Sequence, residues 1–114
     1  MRLYSYSACS TCRKAISWLV QHGHDVEIID ITIQPPTALE LGLALAQLGR
    51  KALLNTSGKR YRELGAATIA AMDDQQLLDV LAVEGRLIKR PVLITDDQRV
   101  LTGFKLEAWQ ALLG

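Results

Sequence analysis

At 114 residues with 49% hydrophobic composition, the chain supports one compact domain with a real core and is too short for two typical ones. A formal net charge of +1 excludes recognition of a polyanion by overall charge, so only a local basic patch could serve that end. Glu40, Gln47 and Asp73 interrupt the apolar-rich stretches well short of the roughly 18 consecutive apolar residues of a membrane span. No basic-then-apolar leader precedes the first strand pattern, so the expectation is a cytoplasmic protein with no membrane partner.

Arg2-Leu-Tyr-Ser-Tyr6 alternates as a strand, and Ser10 opens an apolar-periodic helix. Between and across their junction lies Cys9-Ser-Thr-Cys12, which holds both cysteines of the chain. A loop feeding a helix N-terminus delivers the first cysteine to unpaired backbone N–H groups and the positive end of the helix dipole. Such surroundings lower a thiol pKa from roughly 8.5 by one to several units, and Arg13 and Lys14 add positive charge nearby. Cys12 lies on the stripe of Ala15/Ile16 and Leu19, which predicts a shielded thiol, with Cys9 the accessible attacker. His22 and His24 allow a four-ligand zinc set to be written with the two cysteines. Their single intervening residue is a poor spacing, and histidines at a helix C-terminus before Gly23 have a simpler reading as surface groups near the negative dipole end. No bound metal or cofactor is expected.

Val26-Glu-Ile-Ile-Asp-Ile31 reads as a second strand, completing a right-handed βαβ unit with a parallel strand pair. Gln34-Pro-Pro-Thr37 breaks the pattern, and Thr37 with Glu40 is a capping-box signature for a helix to about Leu48, ended by Gly49. Lys51 to Asn55 adds a further helical turn, Arg60 to Gly65 is short and basic, and Asp73 or Asp74 caps a helix carrying Leu77, Leu78, Leu81 and Val83. Past Gly85, Pro91-Val-Leu-Ile-Thr95 and Arg99-Val-Leu-Thr102 flank a polar turn and read as a β-hairpin. Leu106, Trp109 and Leu113 recur at helical spacing in a closing amphipathic helix. The sum is an α/β chain in which a βαβ half and a ββα half form a four-stranded mixed sheet with helices on both faces, the thioredoxin-like arrangement. That part covers about 1–33 and 86–114, with a helical insertion over about 34–85, all in a single domain.

Four segments at matching spacings carry a family resemblance: the strand-CSTCRKA-helix start, Ala52-Leu-Leu-Asn-Thr56, Leu87-Ile-Lys-Arg-Pro91 before the hairpin, and Leu101-Thr-Gly-Phe104 after it. As a set they resemble the Spx and arsenate reductase (ArsC) family. The resemblance implies a thioredoxin-like fold, Cys9 as nucleophile, Cys12 as resolving cysteine and Arg90 as the cation beside the thiolate or a bound anion. It also implies a cis Pro91 against the active cysteine, with Ser10, Thr11, Arg13, Asn55, Pro91 and Gly103 around the substrate. Glutaredoxin-coupled arsenate reductases have a serine at the position matched by Cys12 and further arginines at those matched by Asn55 and Gly103. A tetrahedral dianion is best held by several charge-assisted donors, so these departures move the substrate away from arsenate.

The resemblance therefore implies a thiol–disulfide oxidoreductase, with glutathione as co-substrate or with glutaredoxin or thioredoxin as reductant. Its other branch implies a regulator that binds RNA polymerase through a CxxC switch, with no direct DNA binding, since no DNA-reading motif is evident. The run Arg50, Lys51, Lys59, Arg60, Arg62 contains no acid before Glu63. It reads either as a solvated face or as a docking patch for glutathione carboxylates or an acidic partner.

Overall fold

The computed structural model describes residues 1–114. Strand β1 (Arg2–Ser5), helix α1 (Ser10–Gln21) and strand β2 (Glu27–Asp30) form the βαβ unit, and β1 pairs with β2 in parallel, Leu3 opposite Ile28. At the other end, β3 (Val92–Ile94) and β4 (Val100–Thr102) form the antiparallel hairpin, followed by α7 (Leu106–Leu113). The four strands lie in the order β2-β1-β3-β4, with β1 antiparallel to β3 and Leu3 opposite Leu93. The expected mixed sheet is the one observed.

Because successive strand side chains point to opposite faces, each central strand feeds two cores. Leu3 and Leu93 pack on one side with Ala15, Trp18 and Leu19 of α1 and Trp109 of α7. Tyr4, Val92 and Ile94 pack on the other, against helices contributed by the insertion. That insertion comprises α2 (Ala38–Leu48), α3 (Arg50–Leu53), α4 (Lys59–Leu64), α5 (Ala66–Ala70) and α6 (Asp74–Val83), then a 3-10 turn at Gly85–Leu87. Leu41, Leu53, Leu77 and Leu81 are fully buried or nearly so, each worth about 1.5–3 kcal/mol relative to exposure.

The Thr37–Glu40 capping box starts α2 as expected, and Asp73 with Gln76 forms a second box at the start of α6. Two corrections concern the helices. The segment read only as short and basic is helical over α4, and a further helix, α5, follows it; Gly65 separates them at φ +90°. With six and five residues, neither is long enough to display a periodic apolar face. In α7 the burial centres on Trp109, whereas Leu106 is 44% exposed because it opens the helix at its outer end.

Glu40 has a second task beyond its cap. Its carboxylate lies buried between elements, accepting from the Tyr4 hydroxyl at 2.6 Å, the Thr37 N–H at 3.0 Å and the Arg2 guanidinium, with Arg2 Nε at 3.0 Å. Burial opposes its ionisation, but these donors outweigh burial and hold its pKa below the ordinary range. Tyr4 is pushed up to about 12, first by burial and then by its bond to Glu40. This triad ties β1 to the start of α2.

Gly85 shows where backbone approach dictates the residue. A Cβ there would stand 2.0 Å from the Ile31 carbonyl oxygen. Gly85→Ala is expected to lower stability by about 3 kcal/mol, through backbone displacement in a packed region, as read by urea unfolding. A second expectation follows from Glu40. Its depressed carboxyl pKa contributes stability present above the unfolded value of about 4.3 and lost as pH falls through the lower folded value. Glu40→Gln should therefore flatten the acid limb of a stability–pH profile while lowering stability at neutral pH.

Candidate active site

The site grows from the β1–α1 junction. Cys9 is the N-cap of α1: its backbone is extended and its sulfur accepts the Cys12 N–H at 3.4 Å. The helix is twelve residues long, so the positive end of its dipole lies at that sulfur beside the Cys12 amide. Arg13 Nη1 donates to the Ser7 carbonyl at 2.8 Å and so braces the loop that presents Cys9.

Both thiols are free, Cys9 half-buried and Cys12 fully buried on the core stripe with Ala15 and Leu19. Burial works against ionisation of Cys9, but the Cys12 backbone N–H, the Cys12 thiol and the Arg90 guanidinium outweigh it and lower its pKa. Burial raises the pKa of Cys12, and the neighbouring Cys9 sulfur raises it further. The pair is thus split: the outer sulfur ionises more readily than an ordinary thiol and the inner one less readily.

Arg90 arrives by a different route. Leu54 and Ile88 form an isolated antiparallel bridge, with the Asn55 N–H donating to the Leu87 carbonyl and the Lys89 N–H to the Leu53 carbonyl, both at 2.8 Å. This pairing fastens the insertion to the segment entering β3, and it brings Asn55 and Arg90 to one place. The Arg90 guanidinium lies 5.0 Å from the Tyr6 ring centroid, a cation–π contact that limits where it can point. The Arg90–Pro91 peptide bond is cis, and the buried Pro91 accepts the Gly103 N–H at 2.9 Å through its carbonyl.

Cys9, Thr11, Asn55, Arg90 and Gly103 line one cavity of about 430 Å³. Of the other residues expected at the substrate, Ser10, Arg13 and Pro91 do not line it: Ser10 is exposed on the first turn of α1, Arg13 braces the loop and Pro91 supports Gly103 from below. The cavity also takes in Ser57, Lys89, Thr102, Phe104 and Lys105, which the sequence reading did not select. Lys89 flanks Arg90, which it did select, and Lys105 lies two residues after Gly103, so nearness in sequence was the one available signal. A larger cavity of about 590 Å³ opens beside Gln47, Val100 and Leu112 and contains no cysteine.

The basic run divides. Arg50 pairs with Asp74 at 2.7 Å and Arg60 with Glu84 at 3.2 Å, while Arg62 donates to the Ser57 carbonyl. Lys59 and Arg60 line a small cavity of about 200 Å³ with Arg86 and Arg90, adjoining the Cys9 cavity through Asn55 and Arg90. The zinc set is not assembled. His22 lies at the opposite end of α1 from Cys9, stacked on Trp18 with centroids 4.2 Å apart, and no group of three potential ligands converges anywhere.

Residues 4–112 match the ArsC family. The chain belongs to that family. YusI of Bacillus subtilis, an uncharacterized protein, is 41% identical over 113 residues, covering 96% of this chain and 95% of YusI. The global transcriptional regulator Spx of Streptococcus pyogenes is 28% identical, over 97% of this chain and 83% of Spx. A crystal structure of a possible arsenate reductase from Streptococcus mutans superposes with a TM-score of 0.85 at 34% identity, covering 96% of each chain. The fold of this ArsC-family chain is thioredoxin-like, and its relatives include both arsenate reductase-like proteins and regulators. No helix is long and apolar enough to cross a membrane.

The difference in burial between the two thiols has a direct chemical readout. Brief iodoacetamide treatment of the folded protein should carboxamidomethylate Cys9 and leave Cys12 free until denaturant is added, as resolved by peptide mass mapping. Equal modification of both in the native state would contradict the assigned burial.

Proposed function

We propose that this chain is a thiol–disulfide oxidoreductase in which Cys9 is the nucleophile and Cys12 the resolving cysteine. The observation that carries the reading is the position of the Cys9 sulfur: at the N-terminus of α1, accepting the Cys12 N–H, in a cavity shared with Arg90. The Cys9 thiolate attacks one sulfur of a substrate disulfide, forming a mixed disulfide and expelling the other sulfur as a thiolate. Cys12 then gives its proton to the expelled thiolate or to solvent and attacks the Cys9 sulfur. The bound half of the substrate leaves as a thiolate, and a Cys9–Cys12 disulfide remains. Two electrons from two glutathione molecules, or from a glutaredoxin or thioredoxin dithiol, restore both thiols.

The order of the two attacks follows from the pKa split. Before the first attack, burial and the adjacent Cys9 sulfur raise the Cys12 pKa and disfavour its ionisation. Once Cys9 is in the mixed disulfide, the anion that raised the Cys12 pKa is gone, and the inner thiol becomes easier to ionise. Its burial also keeps competing thiols away. Arg90 favours the thiolate form of Cys9, and Asn55 and Gly103 bound the substrate space.

A disulfide suits this cavity better than arsenate. Arg90 is its single guanidinium, so only one planar fork is available for an oxyanion, and the lysines act as point charges. Turnover of a small-molecule disulfide with glutathione tests the reading. Cys9→Ser is expected to reduce activity to background, and Cys12→Ser to keep the first step while accumulating a mixed disulfide at Cys9, visible as an added substrate mass. Full activity in Cys9→Ser would refute the proposal. If the native protein reduces nothing but captures RNA polymerase subunits in an oxidation-dependent way lost in Cys9→Ser, the regulator reading replaces it.

A further inference from the structure

Three cations, Lys89, Arg90 and Lys105, line the Cys9 cavity, and no aspartate or glutamate does. Arg90 lies over the Tyr6 ring in the same cavity as Cys9, whose pKa it lowers. The two lysines have no carboxylate partner: the ion pairs of the molecule involve the N-terminus, Arg2, Arg50 and Arg60. An excess of positive charge in a concave site, unneutralised by the protein, is a field waiting for an anion from outside.

The path of Lys89 is fixed by its neighbours. Its backbone N–H is held by the Leu53 carbonyl, and Ile88 beside it is bridged to Leu54, so the side chain starts from an anchored point. It then crosses the face of Gly103. A Cβ on residue 103 would stand 3.2 Å from Lys89 Cε and 3.9 Å from Lys89 Nζ. Gly103 has φ +66°, so glycine satisfies the backbone and at the same time leaves the lysine its route into the cavity.

We propose that Lys89 and Lys105, grouped about Gly103, form a subsite for an anionic group, a carboxylate or sulfonate, carried by the disulfide that Cys9 attacks. The substrate class is thus acidic disulfides rather than neutral or cationic ones. This rests on the oxidoreductase reading for its substrate, while the anion subsite itself rests only on the geometry. Lys89 acts as a specificity-determining residue, drawing the anion in without taking part in the bond exchange.

Alkylation of Cys9 isolates the subsite, because iodoacetate and iodoacetamide undergo the same displacement of iodide by the thiolate and differ in charge. The rate ratio of iodoacetate to iodoacetamide at Cys9, normalised to free cysteine, should exceed one by about tenfold at low ionic strength and decline as salt is added. Lys89→Gln and Gly103→Ala should each lower that ratio severalfold, the second by displacing the lysine. Protection of Cys12 from iodoacetamide in native Lys89→Gln reports an intact fold, and taking the iodoacetate rate relative to the iodoacetamide rate within each variant cancels any change in Cys9 ionisation. A ratio unaltered by both Lys89→Gln and Lys105→Gln would refute the subsite, whatever disulfide activity the protein has. A ratio that falls as expected in a protein that reduces no disulfide would uphold the subsite and overturn the oxidoreductase reading instead. With activity present, Lys89→Gln should raise KM for glutathione disulfide and leave cystamine, a cationic disulfide, unaffected or improved.

Discussion

A sulfur at the N-terminus of a helix is the interaction on which the rest depends. The Cys12 amide points at the Cys9 sulfur, and the helix dipole and Arg90 act in the same direction. Burial acts against them. The balance lowers the Cys9 pKa because the donors are fixed in place by the fold, so no reorganisation is needed when the charge forms. At Cys12 burial outweighs the bonds with Tyr6 and Ser5, no cation assists them and the Cys9 sulfur adds to the rise, so two cysteines three residues apart acquire different chemistry from position alone.

Holding that arrangement requires both cores. On one face of the sheet, Leu3, Trp18, Leu19 and Trp109 fix α1 against β1 and β3, which sets the height at which the helix begins. On the other, the insertion packs against Tyr4, Val92 and Ile94 and is anchored by the buried Glu40 carboxylate. The Leu54–Ile88 bridge then carries the insertion to the mouth of the site. Without it, Asn55 and Arg90 would have no reason to meet, since they lie on separate segments with α4, α5, α6 and the 3-10 turn between them. The insertion is therefore a wall of the site as well as a cover for the sheet.

The strands and long helices were legible in the sequence because each carries a complete local signal. The β1 alternation, the Thr37 and Asp73 caps and the apolar stripe from Cys12 to Leu19 all persist in the folded molecule. Cys9, Thr11, Asn55, Arg90 and Gly103 were assembled by motif and family spacing, and the structure brings them to one cavity. What stayed hidden depends on contacts distant in sequence. The pairing of Leu54 with Ile88 has no local signature, and the opposing charges on Arg50 and Arg60, Asp74 and Glu84, lie 24 residues away along the chain. Lys89 looked like any exposed lysine until the Gly103 backbone showed the space it occupies. Arg13, read as a charge for the site, has a role that its type did not announce, bracing the loop through the Ser7 carbonyl.

The central claim is that the fold activates Cys9 as a thiolate with help from Arg90. The most direct measurement is the pH dependence of Cys9 alkylation, followed by peptide mass mapping in the native protein and in Arg90→Gln. The account predicts an apparent pKa below the free-cysteine reference of roughly 8.5 in the native protein and a rise toward it in Arg90→Gln. A native value at that reference, or one unmoved by Arg90→Gln, would contradict it.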